Sequence, residues 1–523
     1  MSSLFGMLSI ATGALGAEQG ALDATTNNVA NVNTPGYSRL RPVLVESDPV
    51  VVGAVTYGMG VSLEKLQSLR DPILQLRIQE ETQQQGQLNA FVSAMQQAQV
   101  QFTTSSSDIG TEISNFFSSL DQLSTDPSNL ALRQGVLTAA GNLASAFNNT
   151  SNNLSSQRSN LNLQVTQDVQ QINLLTGQIA GLNTQISEMQ GVNQDASALL
   201  DQRDVLIGQL SSLIDVSTIQ SGNGLTLTTS NGTALVVGGQ SNALSTQANA
   251  SGVQEVYSQG TDITGTLTSG DLAGVLQARD QTLPSLLSSL DTLAAGLATA
   301  LNTANQSGYD LNTNPDGTLQ QGGNLFVPPP ASGQGAASTM AVAITDPALL
   351  AASSDPTATG SNGNLATLSA VADQPVAAGQ TPTNYYSNIV FAVGNDVSNS
   401  SAELSSAQSI LNQLQDQQGS ISGVSLDEEA SNMVQYQRAF DAAANVVTTI
   451  NDISRTKASS STTSMVARRL AGSGYGFSGT ACGGLSKADG IWFTVAPLVT
   501  ESQMHPSVHR PSPACARKDG AAS

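Results

Sequence analysis

Hydrophobic residues recur every seven positions over much of the chain. From Leu8 the column Leu8, Leu15, Leu22, Val29 follows this spacing, which buries one narrow stripe against a partner helix. Gly6, Gly13, Gly16 and Gly20 weaken that helix in isolation, each by roughly 1 kcal/mol relative to Ala. A second helical stretch is expected from Asp71 to Phe102, broken by a polar run from Thr103 to Asp108, and another over about 111–145. The clearest heptads lie at 154–189. Leu154, Leu161, Leu175, Leu182 and Met189 form one column and Val165, Ile172, Ile179 and Ile186 the other, with Asp168 as the polar intrusion. A shorter helix continues from Asp201 to Ile214.

The period then changes. Leu225-Thr226-Leu227 and Leu235-Val236-Val237 flank Ser230-Asn231-Gly232, and an Asn-Gly turn between short β-prone runs predicts a hairpin. Helix returns over 271–305, kinked or restarted at Pro284. Residues 309–383 are rich in Gly, Pro, Asn and Thr and read as a loop-rich or small β insertion. A last helical block covers 384–453, broken at Gly419 to Gly423. Beyond the break, Ser425 is placed to cap a helix whose first turn holds Asp427, Glu428 and Glu429. There the column Leu426, Met433, Phe440, Val447 resumes the seven-residue repeat, with Tyr436 beside it.

These elements predict a mainly α chain. The expected organisation is an N-terminal helix and turn motif over 1–62, pairing with a C-terminal helix over 421–453. The core is a helical bundle from 63–215, 272–308 and 384–420. A small β-hairpin region, 216–271, and the insertion 309–383 are expected to project from the far end, and the whole to be an elongated rod.

Composition narrows the function. Charged residues make up 11% of the chain, against about 25% in ordinary globular proteins. Weakly charged surfaces suit close packing of copies. The net charge of −21 argues against nucleic acid and anionic membrane as partners. Residues 1–453 hold ten Lys+Arg and thirty-six Asp+Glu, whereas 454–523 hold eight and three. Cys482, Cys515, His505, His509 and Trp492 also lie in that last stretch. The body therefore cannot form Ser-His or Cys-His nucleophile pairs or the usual zinc sites. No catalytic residue, metal site or cofactor is expected. Asp310, Asn312, Asn314 and Asp316 faintly suggest a calcium loop, but both possible registers lack the closing carboxylate, so a plain turn is expected. The first basic residue is Arg39, so the apolar N-terminus reads as neither a cleaved signal peptide nor a membrane span.

Asn33, Thr34, Pro35, Gly36 and Tyr37 read alone as a type II turn. In context the run ALDATTNNVANVNTPGYSR, Ala21 to Arg39, resembles the N-terminal signature of bacterial flagellar axial proteins. Four further stretches narrow the resemblance to the hook-associated proteins of the hook–filament junction: Gly60-Val61 through Leu69-Arg70-Asp71-Pro72, Leu199-Leu200-Asp201-Gln202-Arg203-Asp204, Gly270-Asp271-Leu272-Ala273-Gly274-Val275-Leu276, and Gly423-Val424-Ser425-Leu426-Asp427-Glu428-Glu429-Ala430 with Tyr436 to Phe440. The resemblance covers 1–453. It implies a structural protein exported without a cleaved signal to the outside of the cell. Copies would form a ring on the hook protein and seat a second junction protein and flagellin, after escort by an export chaperone. Leu8, Leu15, Leu22, Val29, Asn33, Pro35, Gly36, Tyr37, Leu426, Met433, Tyr436, Phe440 and Val447 are the expected assembly interface. The alternatives are another axial protein of hook or rod, or a secreted adhesin or effector on such a scaffold. The tail 454–523 departs from the pattern. After Val447 the column passes through Ser454, Ser461 and Arg468, and the tail reads as a frameshifted end, with an appended module as the alternative.

Overall fold

The computed structural model describes residues 2–471, apart from 53, 104–107 and 222–223. The chain divides into two units, Met1–Ser454 and Arg455–Ser523. Cys482, Trp492, His505, His509 and Cys515 lie outside the described residues.

The first unit opens with helix α1, Ser2–Ala30. A two-stranded ribbon follows: β1 (Leu40–Glu46) pairs antiparallel with β4 (Val61–Ser68), and between them β2 (Val50–Val52) pairs with β3 (Val55–Tyr57). Residues 1–62 are thus not purely helix and turn. Alternation over β1 and β4 is blurred by a register shift between Val43 and Leu44, which hid the strands from a periodicity reading. The ribbon lies on α1, and the helix glycines find their use there. A Cβ on Gly20 would collide with the Leu63 side chain, and one on Gly13 would sit 3.1 Å from the Val61 carbonyl. Their helix cost is offset by close approach of a strand.

The bundle contains α2 (Pro72–Thr103), α3 (Ile109–Leu123), α4 (Leu130–Gly191) and α5 (Ser197–Leu213). The helix expected over 111–145 is two helices, because Asn129 caps a new start by accepting from the Ala131 and Leu132 amides. The 154–189 heptads form the second half of the 62-residue α4. Leu154, Val165, Ile172 and Ile179 are buried.

Strands β5 (Ser217–Ser221), β6 (Gly224–Thr228), β7 (Ala234–Val237) and β8 (Gln240–Ser241) form one antiparallel sheet, and β9 (Leu244–Ala248), β10 (Gln254–Ser258) and β11 (Thr261–Asp262) another. The expected β6–β7 hairpin is present, with Gly232 at φ 85°. Both sheets are clamped to α4 by asparagines. Asn173 donates to the Leu244 carbonyl and accepts from its amide, each at 2.8 Å. Asn162 accepts from the Gln254 amide at 2.7 Å and Asn183 donates to the Gly238 carbonyl at 2.8 Å. An amide side chain carries both donor and acceptor, so it can stand in for a neighbouring strand.

Helix α6 (Asp271–Gln277) passes through a π segment, Ala278–Thr282, into α7 (Leu283–Gln306). Pro284 sits in the first turn of α7, where its missing N–H is tolerated. Gly274 lets α6 touch α2, because a Cβ there would strike the Gln87 carbonyl.

Residues 309–383 do not project. They contain β12 (Tyr309–Thr313), β13 (Leu319–Gln321), α8 (Ala336–Thr339) and α9 (Gly363–Ser369). Leu325, Phe326, Ala337, Leu350 and Leu365 enter the common core. Their backbone is satisfied by helix side chains: Asn302 on α7 brackets Phe326, accepting from its amide at 2.8 Å and donating to its carbonyl at 2.9 Å. Arg133 on α4, fully buried, donates to the carbonyls of Pro127, Pro347 and Leu350. Burial lowers its pKa to about 10. The region 216–271 likewise packs along α4. At the suspected cation loop, Asp316 accepts from Thr318 and Gly317 takes φ 81°, as in an ordinary turn.

Helix α10 (Pro382–Ser422) lies against α2, and α11 runs Leu426–Ala471. The terminal helix thus passes Ile453, where its hydrophobic column had ended. A backbone helix does not require that stripe to continue.

Candidate functional site

Of the motifs singled out in sequence, those at 21–39, 60–72, 199–204 and 423–430 meet at one place, where α1, the ribbon, α5 and the start of α11 converge, while Gly270–Leu276 packs against α2. Asn28, in the last turns of α1, is its centre. Its Nδ2 donates to the Leu40 carbonyl at 2.9 Å and to Glu429 at 3.1 Å. Its Oδ1 accepts from the Leu40 amide and the Tyr37 hydroxyl, both at 2.8 Å. Every donor and acceptor position of the amide is therefore used. No other side chain of that size supplies two donors and two acceptors there without charge.

Arg39 completes the joint. Its Nε meets Glu429 at 2.6 Å and its NH2 meets Glu428 at 2.9 Å. The arginine's protonated form is favoured by the hydrogen bond to Glu428 and by both carboxylates, against the cost of burial. The Arg39 amide donates to the Ser422 carbonyl at 2.9 Å. One residue thus holds the end of α10 and the start of α11. Glu429, expected to balance a helix dipole, is 1% exposed and is instead the buried half of an ion pair.

The next layer joins this knot to the bundle. Arg70 meets Asp201 at 2.6 Å and Asp204 at 3.0 Å, and it donates to the Ser197 carbonyl at 2.9 Å. Asp201 also accepts from the Ser38 amide at 3.2 Å. Gly36 takes φ 77° in the Thr34–Tyr37 turn, and a Cβ would collide with Val205 of α5. Glycine is required there twice, for conformation and for space. Tyr37 is raised to about 12 by burial first and then by the charges of Asp201 and Glu429.

Helices α1 and α11 meet in an antiparallel sense at the joint. Asn28 near the end of α1 meets Glu429 at the start of α11, while Tyr436, about two turns further, has its pKa raised by burial and then by Glu18, ten residues back along α1. The expected stripe is only partly covered. Leu8, Leu15, Leu22 and Val29 are half-buried, as are Met433, Tyr436, Phe440 and Val447, whereas Leu426 is 53% exposed. Full burial falls beside them, on Ala11, Ala17, Ala21, Ala24, Thr25 and Asn28 of α1 and on Ala443 and Ile450 of α11. Small residues take the inner face because the ribbon lies so close. Asn33, Pro35 and Gly36 are exposed and Tyr37 is half-buried.

Three family models match in chain order. "Flagella basal body rod protein" matches residues 8–37, "Flagellar hook-associated protein FlgK helical domain" residues 95–326, and "Flagellar basal body rod FlgEFG protein C-terminal" residues 417–460. The flagellar hook-associated protein 1 of Escherichia coli (strain K12) is 27% identical over 87% of this chain and 98% of its own. The same-named protein of Bacillus subtilis (strain 168) is 29% identical over 86% and 96%.

The chain is similar to flagellar hook-associated protein 1 along most of its length.

The fold agrees. The flagellar hook junction protein FlgK from Burkholderia pseudomallei superposes with a TM-score of 0.59 at 19% identity, over 66% of this chain and 100% of that one. These matches make the chain a structural component of the flagellum and not an enzyme. Among the described residues no helix is long and apolar enough to cross a membrane. The C-terminal match reaches residue 460, past the boundary at 453 drawn from the heptads.

Sequence reasoning found Tyr37 and Gly36 but missed Asn28, Arg39, Arg70, Asp201 and Glu429 as one joint. Two signals pointed there. Asn28 is a poor helix former in an apolar-periodic helix, and two of the few basic residues in the motifs, Arg39 and Arg70, stand opposite the paired acids of Glu428/Glu429 and Asp201/Asp204.

Proposed function

We propose that this chain is the hook–filament junction component, exported to the outside of the cell. Its copies form a ring on the hook protein and provide the seat for a second junction protein and then flagellin, after escort by an export chaperone. One observation carries the reading: motifs scattered from Asn28 to Glu429 close into a single joint that holds both end helices against the bundle. Such a joint fixes the angle at which the half-covered stripes of α1 and α11 meet neighbouring copies. Hook and rod proteins share the two end matches, and the match over 95–326 to the hook-associated helical domain favours the junction. The test is complementation. The gene should restore filaments in a flagellated bacterium lacking its own hook-associated protein 1. Arg39→Ala with Glu429→Ala should not, although the bundle still folds. Filaments at wild-type number in the double variant would remove the joint from the mechanism. Failure of the unaltered gene, if its product is exported and folded, would remove the junction assignment.

A further inference from the structure

Exposed charge is segregated along the first unit. Between residues 78 and 425 the basic residues are Arg133, Arg158, Arg203 and Arg279. Arg133, Arg203 and Arg279 are buried, and Arg158 is half-buried against the Arg279 carbonyl. Exposed acids are spread over the same stretch, among them Glu80, Asp121, Glu188, Asp396, Glu403 and Asp416. The exposed cations of the unit are Arg41 and Lys65 on the ribbon, Arg77 near the start of α2 and Arg438 on α11.

Two of these share one face of the ribbon. Side chains alternate across a strand, so Arg41 opposite Gln67, Val43 opposite Lys65, and Val45 opposite Ser62 stand away from α1. Arg41 donates only to Gln67, at 3.0 Å. Beyond them the β2–β3 tip exposes Val50, Val51 and Tyr57. A two-stranded ribbon is marginal alone, and here one face is covered by α1 while the other carries the exposed Arg41, Lys65 and Val45.

Helix α10 supplies the opposite character. It holds Asp396, Glu403 and Asp416, all exposed, and no Lys or Arg over its length. It packs on α2 and leaves its outer side open, with Ile410 and Ile421 about 40% exposed.

We propose that the outer face of the β1–β4 ribbon docks on the acidic outer side of α10 in a second copy of this chain. The proposal rests on the self-assembly reading above and names its contact. Charge complementarity selects the occupant, because copies this acidic otherwise repel and the ribbon brings two exposed cations, Arg41 and Lys65, to one face, although it also exposes Glu46, Asp48 and Glu64. The two surfaces differ, so the contact is heterologous and repeats from copy to copy around a ring or helix.

The full chain is followed by sedimentation at about 50 mM and about 500 mM NaCl. Self-association should weaken at least about tenfold at the higher salt, as exposed charges are screened. Arg41→Glu with Lys65→Glu should prevent association, and so should Asp396→Lys with Glu403→Lys. Mixing the two variants should restore it, now between unlike chains. Thermal melts establish that each variant is folded. Association unchanged by either reversal, no recovery on mixing folded variants, or no association of the unaltered chain would overturn the proposal. If the charge swap behaves as expected but the gene restores no filament, the contact stands and the junction assignment falls.

Discussion

At Asp168 a carboxyl group sits against Asp271 between α4 and α6, where Gln164 also donates to Asp271 at 3.1 Å. Burial raises Asp168 to about 7, with the Asp271 charge and hydrogen bond adding to it, and burial raises Asp271 as well. A group raised above its unfolded value stabilises the fold fully below the unfolded pKa and loses that contribution as pH rises through the folded one. Stability should therefore fall between pH 4 and about pH 7 as the shared proton leaves. Asp168→Asn keeps a hydrogen-bonding amide without the charge. It should raise the melting temperature at pH 8 by roughly 1–3 °C and flatten the pH profile; equal melting curves at pH 5 and pH 8 in both proteins would remove the pair as a source of pH dependence. At Asn28 the expectation is a loss. Asn28→Asp removes both donors and places a charge beside Glu429, which should cost about 2–4 kcal/mol. Chemical unfolding reads this out, and Glu429→Gln in the same chain should recover part of it.

At the scale of elements, α1 and α11 are joined at one end, and their stripes are only half-covered. Helices with one narrow stripe are marginal alone. In free subunits their amides should exchange faster than those of α4, with slow exchange appearing on assembly. Strong protection over both Leu8–Val29 and Leu426–Val447 in the monomer would contradict this. Leu22→Asp and Phe440→Asp place charges at half-buried seam positions, and each should abolish filament attachment while α4 remains folded, because an unpaired charge is costly to bury. Motility at the normal level in either variant would remove the stripes from the interface.

Over the whole molecule, the family matches end at residue 460, and the relatives named above are matched almost end to end by 86–87% of this chain. The remaining segment is the one whose charge and residue usage shift. A chain stopped after Ser460 should therefore assemble at least as well as the full chain, measured by filaments per cell in the complementation strain. Better assembly by the full chain would make the segment a working part, as an appended module would be. The earlier boundary at Ile453 cuts into the matched region, and stopping there should impair assembly.

Helical spacing determined the long helices, because a 3.6-residue period makes a buried stripe visible along the chain. The seven-residue repeat placed α1, the heptad half of α4 and the start of α11, and three-four spacing placed α7. The Asn-Gly pair determined the β6–β7 hairpin through its backbone conformation. Motif resemblance pointed to the family. Tertiary structure alone decided the rest. The ribbon was hidden by a bulge, and the insertion 309–383 entered the core because asparagines on α7 and the buried Arg133 satisfy its backbone, which no periodicity records. The stripe residues Leu8 to Val29 proved half-covered because a strand pressed against Gly13 and Gly20 turned the small residues inward. The joint needed folding most of all. Asn28, Arg39, Arg70, Asp201 and Glu429 are separated by up to 401 positions, and their meaning lies in hydrogen bonds that exist only once the chain has brought them within 3.1 Å.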